Sequence, residues 1–256
     1  SHSAAIAPGL RDLAEAQGYG FVQLGKASCP PLTGATHFIP RIPTLAQGCL
    51  GFNHAVLIQL RADPHIRIVI LSAAWAAPFY RDWENGWLTA DFAHVQQTPT
   101  AQATSALLAA SLRNTIESLQ ASGKRVLVLE DVPEFTMDPL WRVESERIPA
   151  RRQLVQWLNI ADARDSGAAL IETGANIALS RSVVEHTVAQ CRSAQLIDPQ
   201  ATLCADSLQC AYRDAGGLLY LDSNHLSPDG ARRVLGNFKF PAAGATVPAS
   251  ANAIGQ

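Results

Sequence analysis

Two short and nearly pure aliphatic runs constrain this chain most: Ile66 to Leu71 and Arg125 to Leu129, each leading into loop residues. A strand with one face in water alternates apolar and polar side chains. A continuous run of Val, Ile and Leu is buried on both faces, as in parallel sheets whose crossover helices cover both sides. Between the two runs lies a helix-patterned stretch, Ala103 to Ser122, stopped by Gly123. Further helical spacing occurs at Ser3 to Gln17, with Leu10, Leu13 and Ala14 on one face, at Phe52 to Leu60 before the Asp63-Pro64 break, at Pro149 to Asp165, at Ser180 to Ser193 and from Pro228 to about Leu235. Shorter β-prone stretches fall at Gly20 to Leu24, Gln195 to Ile197 and Leu218 to Leu221. Helices alternating with aliphatic strands predict a three-layer α/β/α domain on a parallel central sheet.

Between these elements, Cys29 to Gly48 is rich in proline and glycine and reads as a surface loop. Trp75 to Thr100 reads as a long excursion outside the sheet. At 256 residues and 48% hydrophobic, the chain buries one sizeable core, so one domain is expected over residues 1–236, with 237–256 an extended or disordered tail. A formal net charge of −2 and the absence of a Lys/Arg run argue against a nucleic-acid partner. No apolar stretch reaches the ~18 residues of a membrane span, and the first residues lack a signal-peptide pattern, so any anchor or export signal is expected outside this sequence.

Four of the five cysteines form two local pairs, Cys29 with Cys49 and Cys204 with Cys210, which read as disulfides, buried free thiols being the alternative. Cys191 is left over. The disulfide reading favours the periplasm or the cell exterior. His37, His54, His65, His94 and His186 lack metal-ligand spacing, and no metal or other cofactor is expected. Glu130, Asp131 and Glu134 follow a strand, a position from which they can face a cleft, and by default read as a solvated loop.

The segment from Tyr220 to Gly230, Tyr-Leu-Asp-Ser-Asn-His-Leu-Ser-Pro-Asp-Gly, carries the clearest chemistry. An aspartate three residues before a histidine, in a turn leaving a strand, can reach Nδ1 of the ring, set its tautomer and stabilise the imidazolium formed when Nε2 takes a proton from a nucleophile. By itself this spacing also suits a helix cap beside a loop histidine.

In its wider context the sequence resembles the SGNH hydrolases, and within them the domain fused behind membrane acyltransferase-3 domains that modify bacterial surface polysaccharides. The residues carrying the resemblance are Ser1-His2-Ser3-Ala4-Ala5, matching the end of a Gly-Asp-Ser-His block, the stretch from Lys26 to Leu32, Cys49 with Phe52-Asn53, Ala73-Ala74-Trp75, Cys204 and Cys210, and Tyr220 to Ser227. The resemblance implies a flavodoxin-like SGNH fold with Ser1 as nucleophile, His225 as base and then acid, and Asp222 as its orienting partner. A serine at a helix N-terminus also has unpaired N–H groups and the positive dipole end beside it, which favour an oxyanion.

Two departures from the family pattern shape the expectations. The Gly-Asp and the aliphatic strand that precede the serine in the family are expected upstream of residue 1. The third strand ends in Ala73-Ala74-Trp75, without the asparagine that completes the usual oxyanion hole. Backbone N–H groups from Lys26 to Ser28 and the side chain of Asn53 are then the candidate donors. Trp75, grouped with Phe79, Tyr80, Trp83 and Trp87, offers either packing or a sugar-stacking face. What the resemblance implies overall is a periplasmic, membrane-tethered O-acyltransferase. It takes an acyl group from a donor delivered by an upstream membrane acyltransferase domain and passes it to a polysaccharide such as lipopolysaccharide O-antigen. The alternatives are a secreted carbohydrate O-acetylesterase and a non-catalytic glycan-binding module.

Overall fold

The computed structural model describes residues 2–91, 98–146, 148–158, 168–171, 173–205, 208–236 and 238–240. In chain order these form α1 (His2–Ala16), β1 (Thr36–Phe38), α2 (Thr44–Ala62), β2 (Ile68–Ser72), α3 (Ala77–Tyr80), β3 (Trp87–Thr89), α4 (Ala101–Ala121), β4 (Arg125–Leu129), α5 (Pro139–Glu146) and α6 (Pro149–Trp157). They continue with β5 (Ala168–Leu170), α7 (Ala175–Gln190), β6 (Gln195–Ile197), α8 (Pro199–Leu203), β7 (Gln209–Ala211), β8 (Arg213–Asp214), β9 (Gly217–Leu218) and α9 (Pro228–Leu235).

The central sheet is parallel, in the order β2-β4-β6, with Ile68 opposite Arg125, Ser72 opposite Leu129, and Leu129 opposite Ile197. Because side chains alternate along a strand, the aliphatic runs divide between two cores. Leu127 and Leu129 join Ile6 and Leu10 of α1 and Val234 and Leu235 of α9 on one face. Val69, Leu71, Val126 and Val128 join Leu108, Leu112 and Ile116 of α4 and Val184 and Val188 of α7 on the other. This is the expected three-layer α/β/α arrangement. Helices α1 and α9 cross so closely that a Cβ at Gly9 would lie 2.7 Å from Ala231, so only glycine fits there.

Several local expectations change. Residues 20–24 form no strand. The other edge of β2 carries no strand among the described residues, and a cavity of about 590 Å³ runs beside it, between residues 18–26 and 66–72, lined by Ile6, Leu10 and Ala14 of α1. A strand exists only through its ladder, and residues 20–24 form no ladder with any strand among the described residues. Helix α2 begins at Thr44, well before Phe52, taking in residues 44–48 from the stretch read as loop. The excursion from Trp75 to Thr100 contains α3 and β3, and β3 pairs antiparallel with β1. The stretch from Leu218 to Leu221 contributes only the short β8-β9 hairpin and a bridge from Tyr220 to Leu226, outside the central sheet.

At the carboxyl end of the chain, Gln17 of the α1 exit donates to the Phe238 carbonyl and accepts from the Phe240 N–H, so the packed body extends past Leu235. The tail from 241 to 256, and the end of the helix expected up to Asp165, lie outside the described residues. Both disulfides are formed, Cys29–Cys49 and Cys204–Cys210, and Cys191 is free and buried. No helix among the described residues is long and apolar enough to cross a membrane.

Candidate active site

The turn after Tyr220 is built by one aspartate. The Oδ1 of Asp222 accepts the backbone N–H of Asn224 at 2.9 Å and of His225 at 2.8 Å, the hydrogen-bonded turn that aspartate favours. The Leu221 N–H donates to the His225 carbonyl at 2.8 Å, closing the loop. The same carboxylate faces His225 Nδ1, 2.9 Å from Oδ2 and 3.1 Å from Oδ1. With a carboxylate on Nδ1, that nitrogen carries the proton and Nε2 presents its lone pair. Burial alone would raise the Asp222 carboxyl, but the two backbone N–H bonds and the imidazole hold it below the usual carboxylate range.

The residues after His225 lock the turn to the core. Leu226 is buried, and Ser227 caps α9 by accepting from the Gly230 N–H at 3.1 Å while its hydroxyl donates to the Leu218 carbonyl at 2.6 Å. Pro228 occupies the first turn, where a missing N–H costs nothing. A Cβ on Gly230 would sit 1.9 Å from the Leu219 carbonyl oxygen, so the position admits only glycine. From the other side, the Phe135 N–H donates to the Ser223 carbonyl at 2.8 Å, and the Asn224 amide reaches Glu134 at 3.4 Å.

The sheet delivers the first turn of α1 to the same place. The His2 ring packs against His225 with centroids 4.8 Å apart and planes tilted by 43°. A cavity of about 10 Å³, lined by His2, Ser72, Leu129, Glu130 and Asn224, sits at the carboxyl ends of β2 and β4. Burial, and then the charge that His225 can carry, push His2 down to about 4, so its imidazole is neutral. Ser1 itself lies outside the described residues.

The secondary candidates divide. Ser28 sits exposed in a left-handed turn (φ 59°) just before the Cys29–Cys49 disulfide. Nearer to α1 is Gly25, where a Cβ would be 3.5 Å from Ser3 Oγ, so the backbone at 25–26 flanks the start of the helix. The Asn53 amide donates to the Pro30 carbonyl at 2.7 Å and to the Leu32 carbonyl at 3.2 Å. Both N–H groups are engaged in holding the 29–33 loop, which corrects the expectation of a free oxyanion donor. Trp75 is 2% exposed, and its indole N–H donates to the Leu129 carbonyl at 2.7 Å, so it packs the core and offers no sugar face. Phe79 is also buried, whereas Trp83 is 65% exposed.

The acidic stretch after β4 is not a solvated loop. Asp131 receives the N–H groups of Trp75 and Ala76, each at 2.8 Å, tying the exit of β2 to that of β4, and burial still pushes its carboxyl up to about 7. Glu130 is buried, with its carboxylate 3.2 Å from Arg181, and burial outweighs the guanidinium to push it up to about 8. Only their place at a strand's carboxyl end signalled these roles. Among the described residues no cluster of three or more ligating side chains could hold a metal.

An Asp-His pair at the carboxyl end of a parallel sheet, beside a helix N-terminus, belongs to the class of α/β domains that build their sites at that sheet edge. Within that class the chain belongs to the SGNH domain family of the kind fused to AT3 domains, which matches residues 1–239. Among solved structures, the fold is similar to the periplasmic domain of the lipopolysaccharide acetyltransferase from Salmonella ser. Paratyphi A. The TM-score is 0.57 at 16% sequence identity, over 92% of this chain and 77% of that one. No curated protein matches the sequence significantly.

Proposed function

We propose that this domain is an extracytoplasmic O-acyltransferase that works through an acyl-serine on Ser1. The observation that carries the reading is the Asp222–His225 pair set against the first turn of α1, one residue from that serine. His225 Nε2 takes the Ser1 hydroxyl proton as Oγ attacks the acyl carbonyl, and Asp222 stabilises the imidazolium through Nδ1. The N–H groups opening α1, with backbone N–H groups of the 25–28 loop, face the developing oxyanion. His225 then gives its proton to the departing donor group. In the second half a sugar hydroxyl yields its proton to His225 and attacks the acyl-serine; the C–Oγ bond breaks, His225 returns the proton to Ser1 Oγ, and the sugar leaves as the ester.

The acyl group we assign is acetyl, and the acceptor an envelope polysaccharide of the lipopolysaccharide O-antigen type. The fold neighbour is a lipopolysaccharide acetyltransferase by name, and domains of this family are fused to AT3 domains, which supports donor delivery from a membrane partner domain on the periplasmic side. The two disulfides suit that compartment. The edge of β2 that no strand among the described residues pairs, and the cavity beside it, fit an extended segment entering α1 from upstream, so in this reading residues preceding Ser1 complete the sheet.

The test is p-nitrophenyl acetate turnover by the protein with its natural upstream residues, beside Ser1→Ala and His225→Ala, over about pH 5 to 9 where a histidine base titrates. Loss of activity in both variants is the expected result. Variants as active as the parent sink the reading. Acetyl transfer to a polysaccharide in preference to water then separates a transferase from an esterase.

A further inference from the structure

We propose that His2 is a positioning residue for His225: its ring, carried on the first turn of α1, packs against the His225 imidazole and holds that ring in place while Asp222 fixes its tautomer. The inference rests on the acyl-serine reading above and adds a residue to it. The Asp222 carboxylate binds one edge of the imidazole, and both side chains are partly open to solvent, 29% for His225 and 47% for Asp222. A hydrogen bond along one edge leaves the ring free to rock about it, so a second contact is needed to fix its face. The His2 ring, 4.8 Å away and tilted by 43°, lies within the range of favourable ring pairs.

The fold makes that contact rigid. His2 opens α1, and His225 lies two residues before Ser227, the cap of α9. The two helices meet where Gly9 faces Ala231, at a distance that admits no Cβ. One helix–helix contact therefore sets the spacing of both rings. The charge state fits as well. The groups facing His2 are His225 and Asp222 from the turn and Glu130 from the end of β4, with Ser72 and Asn224 around the same small cavity. Burial keeps His2 uncharged through the neutral range, so it does not oppose the imidazolium that forms on His225 during turnover. A charged neighbour there would penalise that intermediate.

The test compares the full-length protein with His2→Ala, His2→Phe and His225→Ala, measuring kcat and KM for p-nitrophenyl acetate across the pH range and the melting temperature of each. His2→Ala is expected to lose about 10- to 100-fold in kcat, the cost of a catalytic group misplaced by a fraction of an ångström, with KM little changed. His2→Phe keeps an uncharged ring and is expected to stay within about threefold of the parent, with the same pH profile. A His2→Ala protein as fast as the parent, while His225→Ala is inactive, overturns the inference and leaves the acyl-serine reading standing. So does a His2→Phe protein as impaired as His2→Ala, because the ring nitrogens would then matter and the packing would not. A parent no more active than His225→Ala removes the acyl-serine reading and this inference with it.

Discussion

Asp222 holds the backbone turn and the imidazole with one carboxylate, and the two duties can be separated. An amide keeps an acceptor oxygen for the Asn224 and His225 N–H groups but favours the wrong histidine tautomer. Asp222→Asn should therefore fold with little change in melting temperature while p-nitrophenyl acetate turnover falls by about 10⁴. Glu130 is the residue with a pH signature. Its carboxyl ionises near 4.5 when unfolded and at about 8 when folded, so the native state keeps a proton that the unfolded chain loses. Stability therefore falls as pH rises through that window, and Asp131, pushed up to about 7, adds to the same slope. Glu130→Gln should make the decline of melting temperature between about pH 5 and 8 shallower than in the parent. An unchanged slope would contradict the assignment. The Asp222–His225 pair was legible in the sequence because both of its roles are local, three residues apart. The fates of Asn53 and Trp75 were not, because they depend on the carbonyls of Pro30, Leu32 and Leu129, which only the folded chain brings near.

The elements that could be read were those whose own residues decide their environment. The runs of β2 and β4 are aliphatic on both faces, so the buried parallel sheet followed from composition alone, and β6 and α9 fell where spacing put them. The misread elements owe their existence to partners. Strands β1 and β3 are three residues each and exist as a pair, and residues 20–24 lack the ladder that would make them a strand. The first turns of α2 hold Gly48 and Cys49, a loop-like text that the disulfide to Cys29 pins in helical form. Helix α9 carries the next prediction. Its Ser227 cap ties it to Leu218, so Ser227→Ala should cost about 1 kcal/mol in urea unfolding, toward 2 given the second hydrogen bond. Gly230→Ala should cost more, because the Leu219 carbonyl occupies the place of the new methyl group. Equal stabilities of Gly230→Ala and the parent would mean that α9 is not seated as described.

At the scale of the whole molecule, two layers of helices press one parallel sheet, and the packing of α1 on α9 within one of those layers puts the start of α1 against the turn before α9. The Cys29–Cys49 bridge closes a span of 20 residues and ties the 29–33 loop to α2, so its removal as a Cys29→Ser/Cys49→Ser pair should cost roughly 3 kcal/mol. The Cys204–Cys210 bridge closes only 6 residues and should contribute less, a ranking that chemical denaturation of the two double variants will check. The sheet as a whole has an open edge at β2, and the overall architecture was legible while the way this edge is satisfied was not, since none of the described residues supplies its partner. The central claim is that this architecture serves a covalent acyl-serine. The most direct measurement is acid quench of the protein, with its natural upstream residues, during p-nitrophenyl acetate turnover, followed by peptide mapping by mass spectrometry. The account predicts an acetyl group on the peptide containing Ser1 in the parent and none there in His225→Ala. Acetyl on another residue, or equal labelling of Ser1 in both proteins, would contradict it.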